Sequence, residues 1–87
     1  MGTLRRIWQR FQPHRTETIY MRLMGKHDDG VYRPVQVEPL GVGRYRVLGP
    51  VPDSERWQFA PGEIVGTDLM QFTGARHIVA VALLHSN

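Results

Sequence analysis

The chain has 87 residues, 41% of them apolar and 22% charged, which allows one domain with a modest core and excludes global disorder. It contains no cysteine. That excludes a disulfide framework, thiolate catalysis and the usual Cys-based zinc sites, and fits a reducing, cytoplasmic compartment. Charge is divided unevenly. Residues 1–16 hold four arginines and no acid, a charge of +4, while residues 17–87 hold seven Lys/Arg against eight Asp/Glu, a charge of −1; together they give the net +3. A basic head therefore precedes a near-neutral body, so a high whole-chain pI is not in itself the mark of a nucleic-acid binder.

Residues 1–16 read as a basic amphipathic helix and linker, and residues 17–87 as a single small β domain. Leu4, Ile7, Trp8 and Phe11 recur at i, i+3, i+4 and i+7 and make one apolar helical stripe, with Arg5, Arg6 and Arg10 elsewhere on the surface. Thr3 is placed to cap this helix and Pro13 to end it. Arginines without a following apolar stretch are not a secretory signal. The segment is short and marginal alone, so it must lie on something. Three supports remain open: the barrel itself, a partner protein or second copy, and an anionic membrane surface.

The remainder reads as strands. Residues 18–24 are rich in β-formers, and Asp28-Asp29-Gly30 is a turn signal before residues 31–37. Pro34 cannot donate a ladder hydrogen bond, which places that strand at an edge or starts it after the proline. Gly41-Val42-Gly43 makes the next turn. Residues 44–48 alternate, with Tyr45 and Val47 on one face and Arg44 and Arg46 on the other. A Pro-rich loop over 49–54 leads to a short strand over 56–59, and Pro61-Gly62 has the preference for a type II turn. Strands over 63–70 and 75–84 close the chain. Residues 78–84 are apolar at every position, which predicts a strand buried on both faces or one passing between a barrel core and the N-terminal helix. The run is far too short to span a bilayer. The fold class is mainly β: a small antiparallel barrel or bent sheet of about five to six strands with a short N-terminal helix.

The run VYRPVQVEPLGVGRYRVLGPVPDSERWQFAPGEIV, residues 31–65, carries Arg-Pro-Val, Tyr-x-Val-Leu-Gly-Pro and Trp-x-Phe-x-Pro-Gly. It resembles a pattern in a family of small uncharacterised bacterial proteins, and its strand–Pro-Gly–strand step resembles that of SH3-like barrels. The resemblance implies a small barrel and no particular activity.

No residue set specifies a reaction, and no cofactor, metal or catalytic group is expected. His14, His27, His77 and His85 lack metal-ligand spacing; the last two lie roughly 26 Å apart on an extended strand. His27-Asp28-Asp29 reads as a turn. Ser54 and Ser86 lie in no nucleophile motif, and Gly41-x-Gly43 precedes a strand rather than a helix, so it cradles no phosphate. The chain is thus expected to be a non-enzymatic interaction module that binds a protein partner or itself. The alternative is nucleic-acid binding through Arg44, Arg46 and Arg56 on the sheet and Arg5, Arg6 and Arg10 on the helix, with Tyr20 and Tyr32 as stacking surfaces. Attachment to a membrane surface is the less favoured alternative. Against the sheet arginines, Glu38, Asp53, Glu55 and Glu63 lie among or beside them in sequence, and an arginine opposite a carboxylate is ordinary sheet chemistry.

Overall fold

The computed structural model describes residues 15–25 and 30–86. Five strands follow one another: β1 (Glu17–Arg22), β2 (Tyr32–Gly41), β3 (Arg44–Val47), β4 (Ile64–Phe72) and β5 (Ala75–His85). They form a closed barrel in the order β1-β2-β3-β4-β5. Consecutive strands pair antiparallel. The barrel closes where β1 and β5 meet in parallel at Tyr20 and Val79. The expected N-terminal helix, with its Leu4, Ile7, Trp8 and Phe11 stripe, lies outside the described residues.

Alternation builds the interior. Ile19 and Met21 from β1, Val35 and Val37 from β2, Tyr45 and Val47 from β3, and Val65 from β4 are all buried, together with Val79, Ala80, Leu23 and Phe59. The side-chain period of two sends every other residue inward, and the pairing of Ile19 with Val35 and of Val37 with Val47 brings inward residues together. Trp57 and Ile78 pack against this core from its margin. Pro34 pairs with Tyr20 of β1 and lies beyond the stretch of β2 that β3 reaches, residues 37–41. A residue without a donor is tolerated where one neighbouring strand has already ended.

The turns follow their residues. Gly62 has φ 92° and the Glu63 N–H donates to the Ala60 carbonyl, the geometry of a type II turn with Pro61 at its second position. Thr73 and Gly74 join β4 to β5 with φ 51° and 79°, a two-residue connection of type I′. This hairpin end bends over the outer face of β1 and β2. There Phe72 stacks on His77 at 4.3 Å and on Tyr32 at 5.5 Å, while Tyr20 meets Phe72 and His77 edge-on. The rings form a second apolar cluster outside the barrel.

Two expectations are corrected. Residues 56–59 form no strand; Trp57 makes one isolated bridge with Leu23. Nor are residues 78–84 buried on both faces. Only Val79 and Ala80 are buried, and residues 81–85 are all exposed. Apolar character expresses what a segment favours, but burial needs a neighbour, and β5 loses one of its neighbours beyond Val79.

Candidate functional site

The cause lies in β1. Its edge faces β5 at Tyr20. Three residues on, that same edge is taken by the segment around Trp57: the Met24 N–H donates to the Arg56 carbonyl and the Gln58 N–H to the Arg22 carbonyl. The opposite edge stays with the β2 side through the Leu23 N–H and the Val31 carbonyl. Strand β5 meanwhile changes register against β4 twice, between Gly66 and Thr67 and between Ile64 and Val65. Such bulges bend the strand that carries the extra residue. Among the described residues, β4 is therefore the one strand that pairs with the last part of β5.

Residues 81–85 thus present one edge that pairs with β4 at Ala82, Leu83 and His85 but not at the bulged Val81 and Leu84, and one edge along which no strand among the described residues lies. Val81 is 45% exposed and Leu83 and Leu84 are each 49% exposed. Leu84 lies over Gly66 of β4: a Cβ built on Gly66 would stand 3.5 Å from the Leu84 methyl carbons. From residue 78 to residue 84 there is no charge and no proline. The sequence did display this uncharged run, and the open edge is what sequence reasoning missed. A run of this kind is buried or unpartnered according to what flanks it, which only the register decides.

The sheet arginines are placed differently from one another. Arg44 and Arg46 share the outward face of β3. Arg46 stands opposite Glu38 in the register and donates to its Oε1 at 2.7 Å. Arg56 lies in the loop, against the end of β1 that pairs with the start of β2, whereas Arg44 stands opposite Gly41 at the end of β2. Nine residue steps of β2, from Tyr32 to Gly41, separate these positions, roughly 30 Å along the strand. The structure therefore brings Arg44 and Arg46 together and leaves Arg56 apart. Arg5, Arg6 and Arg10 lie outside the described residues. Tyr20 meets Phe72 and His77 edge-on, and Tyr32 has a ring face stacked on Phe72, so both rings belong to the aromatic cluster.

Glu55 organises the long loop between β3 and β4. Its Oε2 accepts from the Arg33 guanidinium at 2.7 Å, and its Oε1 accepts from Trp57 Nε1 at 3.0 Å. The carboxylate is held below its ordinary value of 4.5, first by the Trp57 hydrogen bond and then by the hydrogen bond from Arg33. The sign follows from linkage. Below 4.5 the unfolded chain binds more protons at this site than the folded one. The stability contributed by Glu55 is complete above 4.5 and is lost as pH falls through the depressed folded-state value. Glu55→Gln is expected to flatten the fall of the urea midpoint below that pH. Parallel slopes for wild type and variant would show that the carboxylate is not held by these donors.

Among the described residues no three His, Asp or Glu side chains group as metal ligands. His77 belongs to the aromatic cluster, and His85 ends β5 on the surface. No described helix is long and apolar enough to cross a membrane. Fold and surface together define a small five-stranded β-barrel in which, among the described residues, no metal-ligand group stands and no strand lies along the outer edge of residues 81–85. No protein-family profile, curated protein or solved structure matches the chain.

Proposed function

We propose that the barrel is a non-enzymatic interaction module, acting in a bacterial cytoplasm, whose partner is a polypeptide that adds a strand to β5. The observation that carries this reading is the uncharged edge at residues 81–85, along which no strand among the described residues lies. A row of backbone N–H and C=O groups with no strand beside it among the described residues is a template for another extended chain, and native monomers usually blunt such an edge with lysine, proline or bulges. This stretch has no lysine and no proline, and it carries two bulges, at Val81 and Leu84. Closure into five strands also supports the likeness to SH3-like barrels, and the motif pattern of residues 31–65 supports kinship with small bacterial proteins of that pattern.

The test sets this reading against nucleic-acid binding in one experiment. A fluorescent peptide carrying Val79-Ala80-Val81-Ala82-Leu83-Leu84 between terminal lysines, and a mixed-sequence oligonucleotide, are titrated with the full chain at about 50 and 200 mM salt. The peptide is expected to bind with little salt dependence and to shift the amide resonances of residues 81–85. Oligonucleotide binding that weakens steeply with salt, with no peptide binding, would transfer the function to the arginines through counterion release.

A further inference from the structure

We infer that a second site lies beside the aromatic cluster, in a cleft whose lining selects a quaternary ammonium group. The cleft holds about 450 Å³, within the range of small-molecule sites. Strand β1 contributes Tyr20 to it, β2 contributes Tyr32, and the end of β4 contributes Met70 and Phe72. None of residues 81–85 lines it, so this site stands or falls independently of the proposed strand-binding role. Its walls are set before a ligand arrives. Phe72 is stacked by Tyr32 at 5.5 Å and by His77 at 4.3 Å, and Tyr20 meets it edge-on at 5.2 Å. Walls already fixed lower the ordering cost of binding.

The lining decides the class of ligand. Tyr20, Tyr32 and Phe72 are half-buried, neither sealed in the core nor fully in water. The face of an aromatic ring carries the negative part of its quadrupole and attracts a cation held within about 6 Å of its centre. No charged side chain is among the described residues that line the cleft. Arg22, opposite Tyr32, and Arg76, opposite Gln71, stand beside it in the register without lining it. An anion would therefore meet ring faces with no lining cation to hold it. A protonated amine or a guanidinium would bring N–H donors that need acceptors, and the described lining offers no carboxylate. A quaternary ammonium has no N–H to satisfy. Its methyl groups present apolar surface to the rings and to the Met70 thioether, a polarizable and adaptable neighbour. Asp68, two residues before Met70 on the same face of β4, adds a negative charge beyond the cleft.

Choline and its uncharged carbon isostere, in which a tert-butyl group replaces the trimethylammonium, are titrated into the full chain and followed by NMR. Choline is expected to shift the amide resonances of Gly30, Tyr32, Met70, Gln71, Phe72 and Thr73, and its methyl signal is expected to move upfield over the rings. It is expected to bind at least about threefold more tightly than the isostere, the factor a cation–π contact supplies at a partly exposed ring. Tyr32→Leu is expected to remove that preference, and Tyr32→Phe, which keeps the ring, to retain it. Should Tyr32→Leu not fold, the comparison of the two ligands on the wild-type chain still decides the matter. Equal binding of choline and the isostere would reduce the cleft to an apolar surface and overturn the assignment. Amides of residues 30–32 and 70–73 that do not move at tens of millimolar choline would overturn the site itself.

Discussion

Ile19→Ala is expected to lower stability by about 2–5 kcal/mol, the cost of deleting a buried aliphatic side chain and leaving a partly unfilled cavity. Ile19 is 1% exposed, stands opposite Val35, and belongs to the core cluster with Met21, Val37, Val47 and Val65. For 87 residues the total is on the order of 4–13 kcal/mol at about 0.05–0.15 kcal/mol per residue. One truncation therefore removes a large share. Domains of this size lose roughly 4–8 °C of Tm per kcal/mol, so thermal unfolding reads the change directly. Leu69→Ala is the matched control, because Leu69 is 57% exposed and surface changes usually stay within about 0.5 kcal/mol. Equal Tm shifts for the two variants would mean that Ile19 does not face the core and that the β1–β2 register is wrong. A slip of one residue would turn Ile19 outward and Tyr20 inward.

Gly49→Ala is expected to cost about 2–4 kcal/mol, through backbone strain and overpacking acting together. Gly49 has φ +86°, and a Cβ placed there would stand 2.9 Å from Pro61 Cγ and 3.3 Å from Pro61 Cβ. The proline ring cannot swing away as a flexible side chain would. It is held by the type II turn that fastens to β3 through the Gly62 N–H and the Val47 carbonyl, 2.7 Å apart. Gly74→Ala separates the two costs. Gly74 has a similar φ of +79° with nothing within 4 Å of its built Cβ, so only the backbone term, about 1–2 kcal/mol, applies. Chemical denaturation of both variants checks the difference. Equal losses would show that the Gly49–Pro61 approach places no demand on residue 49.

The contrast between these positions explains what was legible in the sequence. Strands β1 to β3 declare themselves by alternation, and Tyr45 and Val47 turn inward as their spacing requires. The turns declare themselves through Gly and Pro, since positive φ and a fixed proline φ are local properties. What depends on register was not legible. Arg46 opposite Glu38, and Arg33 reaching Glu55 across 22 positions, cannot be inferred from counts of basic and acidic residues. Phe72 stands 52 positions beyond Tyr20 in sequence, yet the same outer face gathers Tyr20, Tyr32, Phe72 and His77 because the β4–β5 hairpin bends over it. Residues 56–59 carry a strand-like pattern, but they meet β1 only at its end and form a single bridge. By taking that end, they deprive β5 of its neighbour. The candidate site thus arises from a competition between two segments for one strand edge, and neither segment records the outcome in its own composition.

Amide hydrogen exchange of residues 81–85 in the full chain, followed residue by residue with and without the peptide of residues 79–84, tests the proposed role most directly. The amides of this stretch that point away from β4 are expected to exchange quickly in the free chain and to become protected when the peptide is added. Protection that is already complete in the free chain, or exchange that the peptide never slows, would contradict the role.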